Sequence, residues 1–68
     1  MPGRDIETFQ VPDDGCWMNR LEGGEIFPEV YELRSDAVIA GRELAKKRKV
    51  EHIIRNEFGS ITQRNSYG

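Results

Sequence analysis

The residues able to do chemistry are few and scattered. His52 is the single histidine and Cys16 the single cysteine of the chain. A metal centre needs several converging ligands, and His52 has no second histidine or neighbouring cysteine. It alternates with Val50 and Ile54, which places it structurally, in a sheet interior or at an edge. Cys16 follows a turn and precedes Trp17, with no adjacent base or cationic group to hold a thiolate; it reads as strand packing. Asp13-Asp14-Gly15 lacks the alternating oxygen ligands and later bidentate glutamate of a calcium loop. The other acids are spread over turns and outer faces, without the opposed pair that hydrolysis requires. There is no nucleophile–base pair, phosphate loop or cofactor fingerprint. The expectation is a non-catalytic protein with no cofactor, no metal and no small-molecule substrate.

Two surface features remain. Lys46-Lys47-Arg48-Lys49 is the sharpest run of charge. Cations favour a helix C-terminus by ~0.3–1 kcal/mol each, which accounts for the run without any ligand. The functional reading is a phosphate contact, assisted by Arg42, Arg55 or Arg64. The second feature is apolar. Ile39 falls on the polar side of a helix and Phe58 at a turn tip; with Phe27 and Tyr31 they make a candidate partner surface.

The elements that must position these residues follow from pattern. Residues 1–5 contain Pro2 and Gly3 and read as a disordered N-terminal tail, leaving 6–68 as a single domain. Ile6 to Val11 alternates as a strand. Pro12-Asp13-Asp14-Gly15 is a turn in which proline presets φ and glycine takes a positive one. Cys16 to Leu21 is a second strand, with Trp17, Asn19 and Leu21 on one side. After the turn Glu22-Gly23-Gly24-Glu25, Ile26 to Leu33 is a third strand. Pro28 lacks an amide donor, so that strand belongs at an edge or carries a bulge.

Ser35 reads as the N-cap of a helix running to Lys49, and its loss would cost ~1 kcal/mol. Ala37, Val38, Ala40, Gly41, Leu44 and Ala45 fall on one helical face. Gly41 costs ~1 kcal/mol of propensity against alanine, so its presence implies a close approach to the sheet. Trp17 belongs to the core, and Tyr67 packs on the sheet to pin the chain end. Val50 to Arg55, the turn Asn56-Glu57-Phe58-Gly59 and Ser60 to Tyr67 form a closing hairpin. The expected fold is α+β: an antiparallel sheet in β-β-β-α-β-β order with one helix on one face.

On several residues the chain resembles a small bacterial family, a domain of unknown function. The matches are Val11-Pro12, Gly15 and Trp17, Asp36-Ala37 at the helix start, Leu44-Ala45, Gly59 and Ile61, and the ending Asn65-Ser66-Tyr67-Gly68. The resemblance covers residues 9–68, and the Gly-x-Ile hairpin with Ser-Tyr-Gly is its most specific part. Asn19 stands where an apolar residue is usual, Phe58 where a turn aspartate is usual, and Ile39 where a charged residue is usual. The resemblance implies the α+β fold and bacterial origin, and supplies no activity or catalytic residue.

With 68 residues, such a chain buries only about 60% of the surface its unfolded form exposes, so self-association would help to stabilise it. A net charge of −2 argues against unspecific attraction to nucleic acid or anionic membrane. No stretch approaches the ~18 apolar residues of a membrane span. The N-terminus lacks the apolar core of a signal peptide, and one cysteine permits no internal disulfide. These features point to the cytoplasm. The first functional expectation is a small interaction module that binds protein, itself included, as a homodimer. The alternative is a nucleic-acid-binding module whose contacts are Lys46, Lys47, Arg48, Lys49, Arg55 and Arg64.

Overall fold

The computed structural model describes residues 4–68. Strand β1 (Ile6–Gln10) and strand β2 (Trp17–Leu21) form an antiparallel hairpin. Helix α1 (Arg34–Arg48) follows, and strands β3 (Glu51–Arg55) and β4 (Ile61–Ser66) form a second antiparallel hairpin. The strand order is β2-β1-β3-β4. The α+β class with one helix holds, but the sheet has four strands and is mixed, because β1 and β3 run parallel in its centre. The route of the chain explains this. Residues 25–31 climb the outer edge of β2, α1 descends across the sheet, and β3 starts beside Ile6, rising in the direction of β1. Two traverses bring the chain back to the end from which β1 began.

The expected strand from Ile26 to Leu33 does not form. Two isolated bridges, Trp17↔Tyr31 and Arg20↔Ile26, replace it. Ile26 to Tyr31 spans five residue steps against three from Trp17 to Arg20, so the segment bows outward between the bridges. Pro28, with no amide to give, lies in that slack. The segment still closes the β2 edge. Trp17 and Tyr31 exchange N–H···O bonds of 2.7 and 2.9 Å, Phe27 N–H donates to Asn19 O, and Leu21 N–H donates to Glu25 O, both at 2.9 Å.

The helix cap also differs from expectation. Leu33, extended at φ −104° and ψ 135°, is the N-cap and supplies no side-chain bond; Ser35 lies inside the first turn. The cap lies two residues early, next to Arg34, whose guanidinium carbon stands 5.8 Å from the Trp17 ring centre. At the other end Lys49 takes the left-handed conformation, φ 58°. Its N–H reaches Lys46 O at 3.3 Å, and Val50 N–H reaches Ala45 O at 3.1 Å, the paired bonds of a Schellman motif.

Helix residues Ala37, Gly41 and Ala45 are buried. Ala45 forms the apolar core with Ile6 and Val50, joined by Leu21, Phe27, Leu44 and Tyr67. Trp17 is buried at the opposite end. The helix packs on β1, β2 and β3 and does not reach β4. Of the expected tail, residues 1–3 lie outside the described residues; Asp5 Oδ1 accepts the Glu51 N–H at 3.1 Å. Among the described residues no helix is long and apolar enough to cross a membrane.

Candidate functional site

Gly41 marks the closest meeting of helix and sheet. A methyl group there would stand 2.5–2.6 Å from Asn19 Oδ1, His52 Nε2 and Thr8 Oγ1. These three side chains form a buried, directional chain. Asn19 Nδ2 donates to Ala37 O at 3.1 Å, which turns Oδ1 toward Thr8. The Thr8 hydroxyl gives its one proton to that oxygen at 2.5 Å. It therefore accepts from His52 Nε2 at 2.7 Å, and the bond directions assign His52 as the Nε2–H tautomer. Burial, and then the Arg42 charge, lower the imidazole pKa to about 4. His52 Nδ1 is buried without a partner.

A hydroxyl beside an imidazole has the outline of a nucleophile–base pair. Here the proton points from histidine to threonine, and both residues are wholly buried. The arrangement ties β1, β2 and β3 to α1 and has no access for a substrate.

The opposite sheet face holds Glu7, also buried. Arg20 Nε donates to Oε1 at 2.7 Å, and Arg55 Nε and Nη2 donate to Oε2 at 3.1 and 2.8 Å. Burial alone would raise the Glu7 pKa; the hydrogen bonds and charges of Arg20 and Arg55 outweigh it and hold it below its ordinary value. Arg55 Nη1 also donates to Gly59 O at 2.7 Å, fixing the β3–β4 turn. The Arg20 guanidinium lies 4.4 Å from the Phe9 ring centre. Ile53, on this face too, is fully buried with no second layer above it, so long side chains supply its cover.

The six candidate nucleic-acid contacts are divided between the faces. Lys46 lies over the Tyr67 ring and Arg48 over Phe27, while Lys47 borders an open groove beside Glu43. Lys49 is the helix cap. Arg55 is bound to Glu7, and Arg64 reaches Glu51 at 3.3 Å on the far face of the sheet.

The four candidate partner residues are also separated. Phe27 is half-buried against the core, and Tyr31 pairs with the end of β2. Ile39 is exposed on the outer helix face. Phe58 is 84% exposed at the β3–β4 tip, the opposite end of the sheet from Phe27. The groove, about 630 Å³, has Tyr31, Ala40 and Leu44 as its apolar lining and Glu29, Glu43, Lys46 and Lys47 as its charged lining. Among the described residues no group of three or more His, Cys, Asp or Glu is placed to hold a metal ion.

What sequence reasoning did not single out is the β4 edge. All six residues of β4 are exposed. Tyr67 N–H donates to Val50 O, and this sets the alternation of the ladder. His52 and Asn65 exchange bonds, whereas the backbone N–H and C=O of Arg64 and Ser66 point away from β3. A bulge opposite Ile54 and Arg55 confines the regular free edge to residues 63–66. The signal in the sequence was the absence of any apolar face in Thr62-Gln63-Arg64-Asn65-Ser66, which a strand covered by a helix would show.

Residues 7–67 match a family model described as an uncharacterized protein conserved in bacteria (DUF2188). No curated protein matches, and no solved structure does.

Proposed function

The chain belongs to this uncharacterized bacterial family, and on that premise we propose that it is a non-catalytic module that binds protein through the open edge of its sheet. One contrast carries the reading. The chain closes the β2 edge with its own residues 25–31, yet leaves β4 exposed on both faces and along its outer side. An unpaired row of amides and carbonyls is a template for an added strand. Its only charged residue, Arg64, is already engaged by Glu51. The chemistry seen elsewhere is enclosed: Thr8, Asn19 and the Nε2 of His52 bond one another out of reach of solvent, and Glu7 is neutralised from both sides.

The alternative, a nucleic-acid module using the basic helix end, has less support. Its cations occupy two faces, and Glu43 and Glu51 stand among them. A phosphate backbone needs a continuous positive track.

Arg64→Pro tests the edge. Its N–H faces outward, so proline removes a donor from the free side and leaves the β3 ladder intact. The immobilised wild type should retain host proteins that this variant releases. Adding one of them should slow hydrogen exchange at Arg64 and Ser66. Identical sets of bound proteins for the two chains would end the proposal.

A further inference from the structure

We propose that the strand received by β4 is β4 of a second copy, antiparallel, with Arg64 opposite Ser66 of that copy. This rests on the open-edge reading and names its occupant.

The first argument is closure. The described molecule has one open edge, at β4, and one edge covered by its own chain, at β2. A two-fold pairing of β4 consumes both open edges. The result is a finite eight-stranded sheet whose outer borders are the covered β2 edges, so assembly stops at two. Pairing β4 with the edge of an unrelated sheet gives no such stop.

The second argument is the lack of protection. Edges that avoid self-pairing carry lysine, proline or inward charge. β4 carries Ile61, Thr62, Gln63, Arg64, Asn65 and Ser66, with one charge and neither lysine nor proline. The bulge lies toward the turn, away from residues 63–66.

Charge then selects the register. Only Arg64 and Ser66 point their backbone groups outward within the regular stretch. Pairing Arg64 with Arg64 sets two guanidinium groups face to face, which is unfavourable for directly opposed residues. An offset of two places Arg64 against Ser66 twice, with the axis at Asn65. Two symmetry-related pairs then exchange backbone bonds. Because α1 stops short of β4, no described element on either face obstructs the second copy. The antiparallel two-fold keeps both helices on one side of the joined sheet, without contact between them. Such an interface is small, so the dimer is weak and forms with rising concentration.

The test is sedimentation equilibrium of the whole chain from micromolar to millimolar concentration, with three proteins. The wild type should shift from monomer to dimer and no further. Arg64→Pro should stay monomeric with an unchanged circular-dichroism spectrum. Ser66→Lys faces Glu51 within its own chain, which suits the monomer, but brings a second cation against Arg64 of the other copy. It should weaken dimerisation by roughly threefold to tenfold. A wild type that remains monomeric at millimolar concentration overturns self-pairing. If Arg64→Pro still releases host proteins in that case, the open-edge reading survives. A dimer that Arg64→Pro leaves intact overturns the inference, because the copies then meet elsewhere. A dimer insensitive to Ser66→Lys overturns the register.

Discussion

At the scale of single residues, the polar cluster under Gly41 decides how close the helix can lie. Helix propensity favours alanine at position 41 by ~1 kcal/mol. An added methyl, however, meets three atoms inside contact distance, and overpacking typically costs about 1–3 kcal/mol. Gly41→Ala is therefore expected to lower unfolding free energy by up to about 2 kcal/mol, read by urea denaturation. A more stable variant would show that the helix can lift without loss. Sequence alone announced Gly41 as a point of close approach, because glycine in a helix interior needs a reason. It gave no notice of what lay beneath. Thr8, Asn19 and His52 come from three strands, and each alone reads as an ordinary polar residue.

At the scale of elements, the helix termini yield opposite expectations from those that propensity suggests. Ser35 lies in the first turn and makes no cap bond, so Ser35→Ala should stay within about 0.5 kcal/mol of wild type. Leu33 occupies the cap position and is exposed. Leu33→Asp would supply the missing acceptor to the first turn and should add about 1 kcal/mol. At the other end Lys49 takes a left-handed conformation that disfavours any residue with a Cβ by roughly 1–2 kcal/mol. Lys49→Gly should raise stability by about 0.5–1 kcal/mol. Thermal melts of the three variants check all of this together. The two hairpins were legible because Gly15 and Gly59 both take positive φ at the turns their neighbours indicate. The segment 26–31 was not: its alternation resembles a strand, and only the slack around Pro28 prevents one.

At the scale of the whole molecule, acid acts on both sides of the sheet. The His52 pKa falls from 6.5 to about 4 on folding. The unfolded chain therefore takes up its proton first, and stability present above pH 6.5 is lost as pH falls toward about 4. The loss amounts to about 3 kcal/mol, a large share for a domain whose total is at best about 5–10 kcal/mol. Glu7, held below its ordinary value of 4.5, adds a further loss below that pH, again with the sign that stability falls in acid. Denaturant midpoints measured across this range should slope steadily for the wild type. In His52→Gln the slope between pH 6.5 and about 4 should flatten, whatever the variant's absolute stability. An unchanged slope would mean that another group carries it.

By itself the sequence determined what local physics can decide: two hairpins from their turn glycines and a helix from its periodicity and small face. Those depend on residues a few positions apart. Tertiary structure alone decided the rest. The parallel pairing of β1 with β3 depends on the path taken by residues 25–48, and strand direction leaves no mark on composition. The alignment of His52, Thr8 and Asn19 depends on registers between strands distant in sequence. So does the difference between the two sheet edges, since a strand carries the same side chains whether its outer amides are covered by a bowed loop or left open to a neighbour.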